Sequence, residues 1–215
     1  LITGGAGYIG SELTEHLLRS GHKVVVIDNL MYEATSLLRY AIEPNFNFIK
    51  GDITNLEILK KELVKADIII PLAALVGFPL CERDKRGAVE INHGANAWIA
   101  KNKTPEQRVI YPCTNSGYGV SIDGSVCTEE SPLNPITLYG QTKFAAEYEY
   151  KNVENHVTFR LATVFGPGSR MRTDLLVNNF VLKALRDRVL VLYECEFMRN
   201  YVHLQDVCRA FMFVI

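Results

Sequence analysis

Tyr139 and Lys143 stand four residues apart in a stretch, Tyr-Gly-Gln-Thr-Lys-Phe-Ala-Ala-Glu, that reads as helix after Pro135. One helical turn apart, a phenol and an ammonium share a face. A free phenol has a pKa near 10, so only about 0.1% is phenolate at pH 7. Lowering that pKa by two to three units takes roughly 3–4 kcal/mol, and a nearby cation supplies part of it. The product is a general base for a substrate hydroxyl that can return the proton as an acid. A Tyr-xxx-Lys pair alone is a common accident of helix surfaces. Here a hydroxyl-rich turn, Thr114-Asn115-Ser116-Gly117-Tyr118-Gly119, follows an apolar strand upstream of it. In doubly wound sheets ligands bind at that carboxyl edge.

A second pattern lies at the other end of the chain. Residues 3–10 read Thr-Gly-Gly-Ala-Gly-Tyr-Ile-Gly, with Gly4, Gly7 and Gly10 three apart, after an apolar strand stub and before a helix. Glycines in that context let the backbone approach a pyrophosphate, whose charge meets the free N–H groups of the helix start. Asp28 ends the next strand, 18 residues after Gly10. A carboxylate there accepts from both ribose hydroxyls and repels a 2′-phosphate. The first basic residue after it is Arg39, a spacing that favours NAD over NADP. Asp52, in Lys-Gly-Asp-Ile, is a candidate for the adenine edge, with a turn or helix N-cap as the alternative.

These residues need a frame to hold them. Val24–Ile27, Phe46–Ile49, Ile68–Ile70 and Val109–Tyr111 are short, continuously apolar runs rich in β-branched residues, which predicts strands buried on both faces. Helical stretches separate them at Ser11–Arg19, Leu56–Val64 and about Gly87–Ala100, with a later helix from Asp174 to Leu185. The alternation predicts an α/β, Rossmann-like doubly wound parallel sheet. Beyond about Phe159 the pattern loosens, so residues 1–160 are expected to form the NAD-binding domain. Residues 161–215 would begin a small substrate lobe that looks incomplete.

Composition narrows the class. The 215 residues are 48% hydrophobic and 22% charged, with a formal net charge of −1, so no basic surplus points to nucleic acid or an anionic membrane. No apolar run approaches the ~20 residues of a membrane span. The five cysteines are odd in number and match no CxxC or zinc spacing, which suits reduced thiols in a cytoplasmic protein and no metal. His16, His22, His93 and His156 also lack partners at metal spacing, and His203 is expected to be structural.

Taken jointly, TGGAGYIG, Asp28, Gly51-Asp52-Ile53, Leu72-Ala73-Ala74, TNSGYG, YGQTK, Phe165-Gly166-Pro167 and Arg199-Asn200-Tyr201-Val202-His203 make the chain resemble the extended short-chain dehydrogenase/reductases. The likeness is to their NAD-dependent nucleotide-sugar epimerase/dehydratase branch. That resemblance implies Tyr139 as catalytic base, with Lys143 lowering its pKa and holding the nicotinamide ribose. It implies Thr114 as the hydroxyl that bonds the sugar oxygen. Cofactor contacts would come from Gly4, Gly7, Tyr8, Ile9, Gly10, Asp28, Asn29, Asp52, Ile53, Leu72, Ala73 and Ala74. Substrate contacts would come from Asn115, Ser116, Asn179 and Arg199. The implied partner is a nucleotide-diphosphate sugar, and the implied assembly a homodimer.

Departures from the family pattern bear on the reaction. The 4,6-dehydratases carry Thr-Asp-Glu where this chain has Thr114-Asn115-Ser116, and decarboxylases often carry Glu at the position of Ser116. Pro71 replaces a common His, and Thr163 a common Asn. An epimerase working through a transient keto-sugar, as in UDP-glucose 4-epimerases, is therefore the leading expectation. A dehydratase or NAD(P)H-dependent reductase follows, and an NAD-binding regulator is the non-enzymatic rival.

Overall fold

The structure is a computed structural model that describes residues 1–119, 126–193 and 195–215. Six parallel strands form its main sheet: β1 (Ile2–Thr3), β2 (Val24–Asp28), β3 (Phe46–Lys50), β4 (Ile68–Pro71), β5 (Arg108–Thr114) and β6 (His156–Leu161). Their spatial order is β3-β2-β1-β4-β5-β6, so the order reverses beside β1, where a doubly wound sheet opens its ligand crevice. Successive residues on each strand face opposite layers. Ile27, Ile69, Val109 and Tyr111 enter one core with Leu59, Leu63, Ile99 and Tyr150. Val26, Ile70 and Ile110 enter the other with Leu13, Leu17 and Phe211. This two-sided burial is why the strands read as unbroken apolar runs; each fully buried side chain contributes about 1.5–3 kcal/mol.

Helix α1 (Tyr8–Arg19) follows the glycine-rich turn, and α2 (Leu56–Leu63) is N-capped by Asn55, whose side chain accepts from the Glu57 N–H. The helix expected near 87–100 is longer and broken. It runs as α3 (Phe78–Arg83), α4 (Lys85–Val89), a π-helical turn (Glu90–Gly94) and α5 (Ala95–Asn102). Asp84 makes the first break, accepting the Gly87 N–H at 2.8 Å. The active-face helix α6 (Leu138–Lys151) is capped by Thr137, which accepts from Gly140 N–H.

Past β6 the chain adds β7 (Thr163–Phe165), α7 (Leu176–Arg186), β8 (Tyr201–His203) and α8 (Leu204–Val214). Strands β7 and β8 pair in a separate two-stranded sheet. Helix α8 returns to the main layers: Val207, Cys208 and Phe211 belong to the same core as α1 and β1. Residues after 160 thus contribute to the main core as well as to the two-stranded sheet. His203 caps α8 through Nδ1, which accepts the Gln205 N–H at 3.2 Å. Cys81, Cys113 and Cys208 are buried free thiols, and Cys127 and Cys195 are exposed. Among the described residues no helix is long and apolar enough to cross a membrane, and no group of His, Cys, Asp or Glu is arranged for a metal.

Candidate active site

The glycine-rich turn is shaped by three close approaches. Gly4 has φ +72°, and a Cβ there would lie 2.5 Å from the Ala73 nitrogen. A Cβ at Gly10 would lie 2.6 Å from both the Gly4 oxygen and the Gly5 Cα. Helix α1 therefore presses on the Gly4–Gly5 backbone and that turn on the exit of β4, and the obstacles are backbone atoms that cannot swing aside. Gly10→Ala is expected to cost about 1–3 kcal/mol by overpacking. Urea denaturation reads it; an unchanged midpoint would mean the helix start can shift freely.

The opposite side of the turn is open: a Cβ at Gly7 would meet only the Gly4 oxygen, at 3.1 Å. Gly7 is the N-cap of α1 and makes no side-chain capping bond, so the first-turn N–H groups face a position suited to an anion. Asp28 stands at the end of β2, its carboxylate accepting the Ala6 N–H at 3.0 Å and the Leu30 N–H at 2.8 Å. That fixes its orientation while leaving lone pairs for a diol. Asn29 donates to Asp52 at 3.0 Å, and Asp52 also accepts from the backbone and hydroxyl of Thr54. Arg39 is turned to Glu15 at 2.6 Å and to Ser169, so it offers no ready partner for a 2′-phosphate. The residues present fit a dinucleotide of the NAD type.

Two of the expected cofactor residues, Tyr8 and Ile53, turn their side chains into the fold. The Tyr8 phenol is buried and donates to the Gly166 carbonyl at 2.5 Å. The Ile53 side chain lies in the core with Leu59 and Leu63. Leu72 and Ala73 follow β4, held to β1 through the Thr3 carbonyl (2.9 Å) and hydroxyl (3.4 Å), and Ala74 continues the same edge.

Across the crevice, β5 ends at Thr114 and α6 carries Tyr139 and Lys143. The Thr114 hydroxyl donates to Ser116 Oγ at 3.1 Å and accepts the Ser116 N–H at 3.2 Å, bending the chain into the Asn115–Tyr118 turn. Lys143 is buried, and its Nζ lies 4.2 Å from the centre of the Tyr111 ring. Burial pulls its pKa down to about 8, against an ordinary 10.5. The neighbouring Cys113 thiol opposes that shift only when ionised, and burial pushes the thiol itself up to about 12.

Burial also pushes the Tyr139 phenol above its ordinary 10. The influences that draw it down are the Arg172 guanidinium and the nearby Thr114 hydroxyl. Lys143 is expected from its spacing to supply part of the shift that makes the phenol basic; in the protein by itself desolvation dominates, and the cation among the opposing influences is Arg172, from the loop before α7.

On the substrate side, Asn115 donates to Asn200 Oδ1 at 2.6 Å, which brings the segment holding exposed Arg199 to the catalytic turn. Ser116 is exposed. Asn179 donates to the Thr173 carbonyl at 3.0 Å. Its neighbour Asn178 is the buried one: it accepts the Gly166 N–H at 2.9 Å and donates to the Arg172 carbonyl at 2.9 Å and the Tyr8 oxygen at 3.3 Å. The segment from Gly166 to Asn178 is thereby fastened to Tyr8 at the start of α1. Arg172 also pairs with Asp174.

Asn92 went unnoticed in the sequence. Fully buried in the π-turn, it bonds both backbone groups of Leu75 (2.8 and 3.0 Å) and reaches the Thr142 hydroxyl at 3.3 Å. It thus links the edge after β4 to the helix of Tyr139 and Lys143. A break in helical periodicity around a polar residue was the available signal.

A glycine-rich helix start and the residues Thr114, Tyr139 and Lys143 lie at the carboxyl edge of a doubly wound parallel sheet, the edge where such sheets bind dinucleotides. The chain belongs to the NAD dependent epimerase/dehydratase family, whose pattern it matches over residues 1–215. It is 28% identical to Protein CapI of Staphylococcus aureus over 225 residues, covering 98% of this chain and 67% of that one. Among solved structures it resembles UDP-glucuronic acid 4-epimerase from Bacillus cereus in complex with UDP-glucuronic acid and NAD. The TM-score is 0.86 at 27% identity, over 98% of this chain and 71% of that one. It also resembles dTDP-glucose 4,6-dehydratase from Bacillus anthracis in complex with NAD, with TM-score 0.84 and 26% identity over 99% and 70%.

Proposed function

We propose that this protein is an NAD-dependent nucleotide-sugar epimerase acting through a transient keto-sugar. The observation that carries this reading is that Tyr139 and Lys143 lie one turn apart on α6, packed on β5 where Thr114 ends it, with no carboxylate at positions 115 and 116. Bound NAD supplies the hydride acceptor and donor. Gly7 and the first-turn N–H groups of α1 would hold its pyrophosphate, Asp28 its adenosine ribose and Lys143 its nicotinamide ribose. Tyr139 takes the proton from a sugar hydroxyl as the carbon becomes a ketone, and gives it back after the sugar has turned over. Thr114 donates to the same oxygen, which keeps it in line with the phenol. A cationic ring beside Tyr139 would add to Arg172 in offsetting the desolvation that otherwise holds the phenol protonated. Asn115, Ser116, Asn179 and Arg199 are the candidate contacts to the nucleotide sugar, a guanidinium being suited to diphosphate.

Water elimination needs an acid and a base at the sugar carbons beyond the ketone. Asn115 and Ser116 supply neither carboxylate, and the Asn115 amide is engaged with Asn200. We also infer a homodimer, the groove of Trp98, Lys101, Glu149 and Val153 between α5 and α6 being a surface a second copy could cover.

Mass spectrometry of nucleotide sugars incubated with the protein and catalytic NAD tests the reaction. An isomer of unchanged mass supports epimerisation; loss of water, loss of carbon dioxide or stoichiometric NADH overturns it in favour of the corresponding chemistry. Asp28→Ala is expected to weaken NAD binding about tenfold or more, since hydrogen bonds to charged groups contribute roughly 1.5–3 kcal/mol. It should also narrow the preference over NADP. Titration with both dinucleotides checks this, and an unchanged preference removes Asp28 from the ribose site.

A further inference from the structure

Arg160 stands on β6, outside the residues given a chemical role above, and its side chain is only 11% exposed. Its Nε and Nη2 donate to the carboxylate of Glu147, at 3.2 and 2.7 Å. Glu147 is 2% exposed and lies on α6 one helical turn beyond Lys143, where Lys151 also reaches it at 3.2 Å. The remaining nitrogen, Nη1, donates to the Tyr118 phenol oxygen at 2.8 Å and to the Glu129 carbonyl at 2.9 Å. One planar cation therefore joins β6, α6 and the last residue of the catalytic turn.

The rings around it tighten the joint. The guanidinium lies 5.3 Å from the Tyr118 ring centre and 5.2 Å from that of Phe144, the residue after Lys143. Phe144 in turn packs so closely on the catalytic turn that a Cβ at Gly117 would fall 1.8 Å from its ring. A buried ion pair is poor value for stability alone, because apolar residues of similar volume often do as well. What the rigid guanidinium fork provides is fixed geometry between three partners. That matters here because Thr114 and Tyr139 come from different elements, and a misplacement of about 1 Å can cost roughly a hundredfold in rate.

We propose that Arg160, anchored by Glu147, is a positioning residue that holds the Asn115–Tyr118 turn against α6 and so fixes Thr114 relative to Tyr139. Its catalytic consequence rests on the function proposed above; the mechanical joint does not.

Two variants separate these. Tyr118→Phe removes only the oxygen that Arg160 bonds and keeps the ring. Arg160→Lys keeps the charge and loses the fork, and serves as the second variant because Arg160→Gln would strand Glu147 and risk unfolding. Amide hydrogen exchange reads the joint directly at Ser116 and Asn134, whose N–H groups bond Thr114 Oγ1 (3.2 Å) and the Gly117 carbonyl (2.8 Å). In both variants exchange at these amides should quicken about tenfold while the interior of α6 keeps its protection. kcat should fall about tenfold or more, with KM changed less than about threefold.

Unchanged exchange at Ser116 and Asn134 in either variant overturns the joint. Exchange that quickens evenly across the fold overturns it too, as ordinary destabilisation. A loosened turn with wild-type kcat overturns the catalytic half. If the wild-type protein turns over no nucleotide sugar, the proposed function fails, and the exchange measurement alone decides the joint.

Discussion

Replacing Tyr139 with phenylalanine is expected to reduce turnover of a nucleotide sugar about a thousandfold while leaving the fold and NAD binding intact. A positioned general acid–base contributes roughly 10²–10⁴-fold, and Tyr139 is the ionisable hydroxyl beside Thr114. The ring packs beside Leu75, Cys81 and Ala88, and phenylalanine keeps that packing. Burial already disfavours the phenolate, so losing the hydroxyl removes a poorly solvated polar group rather than a structural contact. Steady-state kinetics with a parallel NAD titration checks the result. Residual turnover within tenfold of wild type would mean another group takes the proton; lost NAD binding would mean the phenol is structural.

Lys143→Met should abolish turnover to a similar degree and yet stabilise the protein at neutral pH. Burial lowers the Lys143 pKa to about 8, whereas the unfolded chain holds that proton up to its ordinary 10.5. Below pH 8 both states are protonated, and the folded one bears the full cost of a buried ammonium. Between 8 and 10.5 the unfolded state binds more protons, so the lysine's penalty fades as pH rises and is gone above that window. The shift corresponds to about 3 kcal/mol, and attraction to the Tyr111 ring is already contained in the native arrangement. Methionine is therefore expected to add about 1–3 kcal/mol at pH 7, with less gain at pH 9.5. Urea denaturation at the two pH values reads both sign and slope. A variant less stable than wild type at pH 7 would show that the ammonium is better solvated or paired than its burial indicates.

Together these two results describe a site whose function strains the fold. The cation and the phenol sit in one desolvated wall, each disfavoured in its charged form, and become useful when ligands bring compensating charge. The same wall holds the Glu147–Arg160 pair one turn further along α6, where the charges are matched within the chain itself.

Local features of this protein are written in local sequence. The three glycines, the apolar strand runs and the Tyr-xxx-Lys spacing state the tight turn before α1, the parallel sheet and the shared face of α6, because each depends on conformational preferences within a few residues. Strand β6 was harder to see, since His156–Leu161 is only half-buried and mixes polar with apolar residues. The break from Asp84 through the π-turn was hidden for another reason: the apolar spacing continues across it, while the break itself serves Asn92's contacts with Leu75 and Thr142.

What only the tertiary structure decided is which groups meet across long separations. Tyr8 meets Gly166 and Asn178, Asn115 meets Asn200, and Arg160 meets both Glu147 and Tyr118. The direction of the phenol's pKa shift also belongs to this level. Spacing places a lysine beside the tyrosine, but the balance is set by how much water the assembled wall excludes and by Arg172 arriving from another loop. Sequence by itself determined the fold class, since periodicity and glycine geometry are local. The protonation and alignment of Tyr139 and Lys143 are sums over neighbours that only the folded chain brings together.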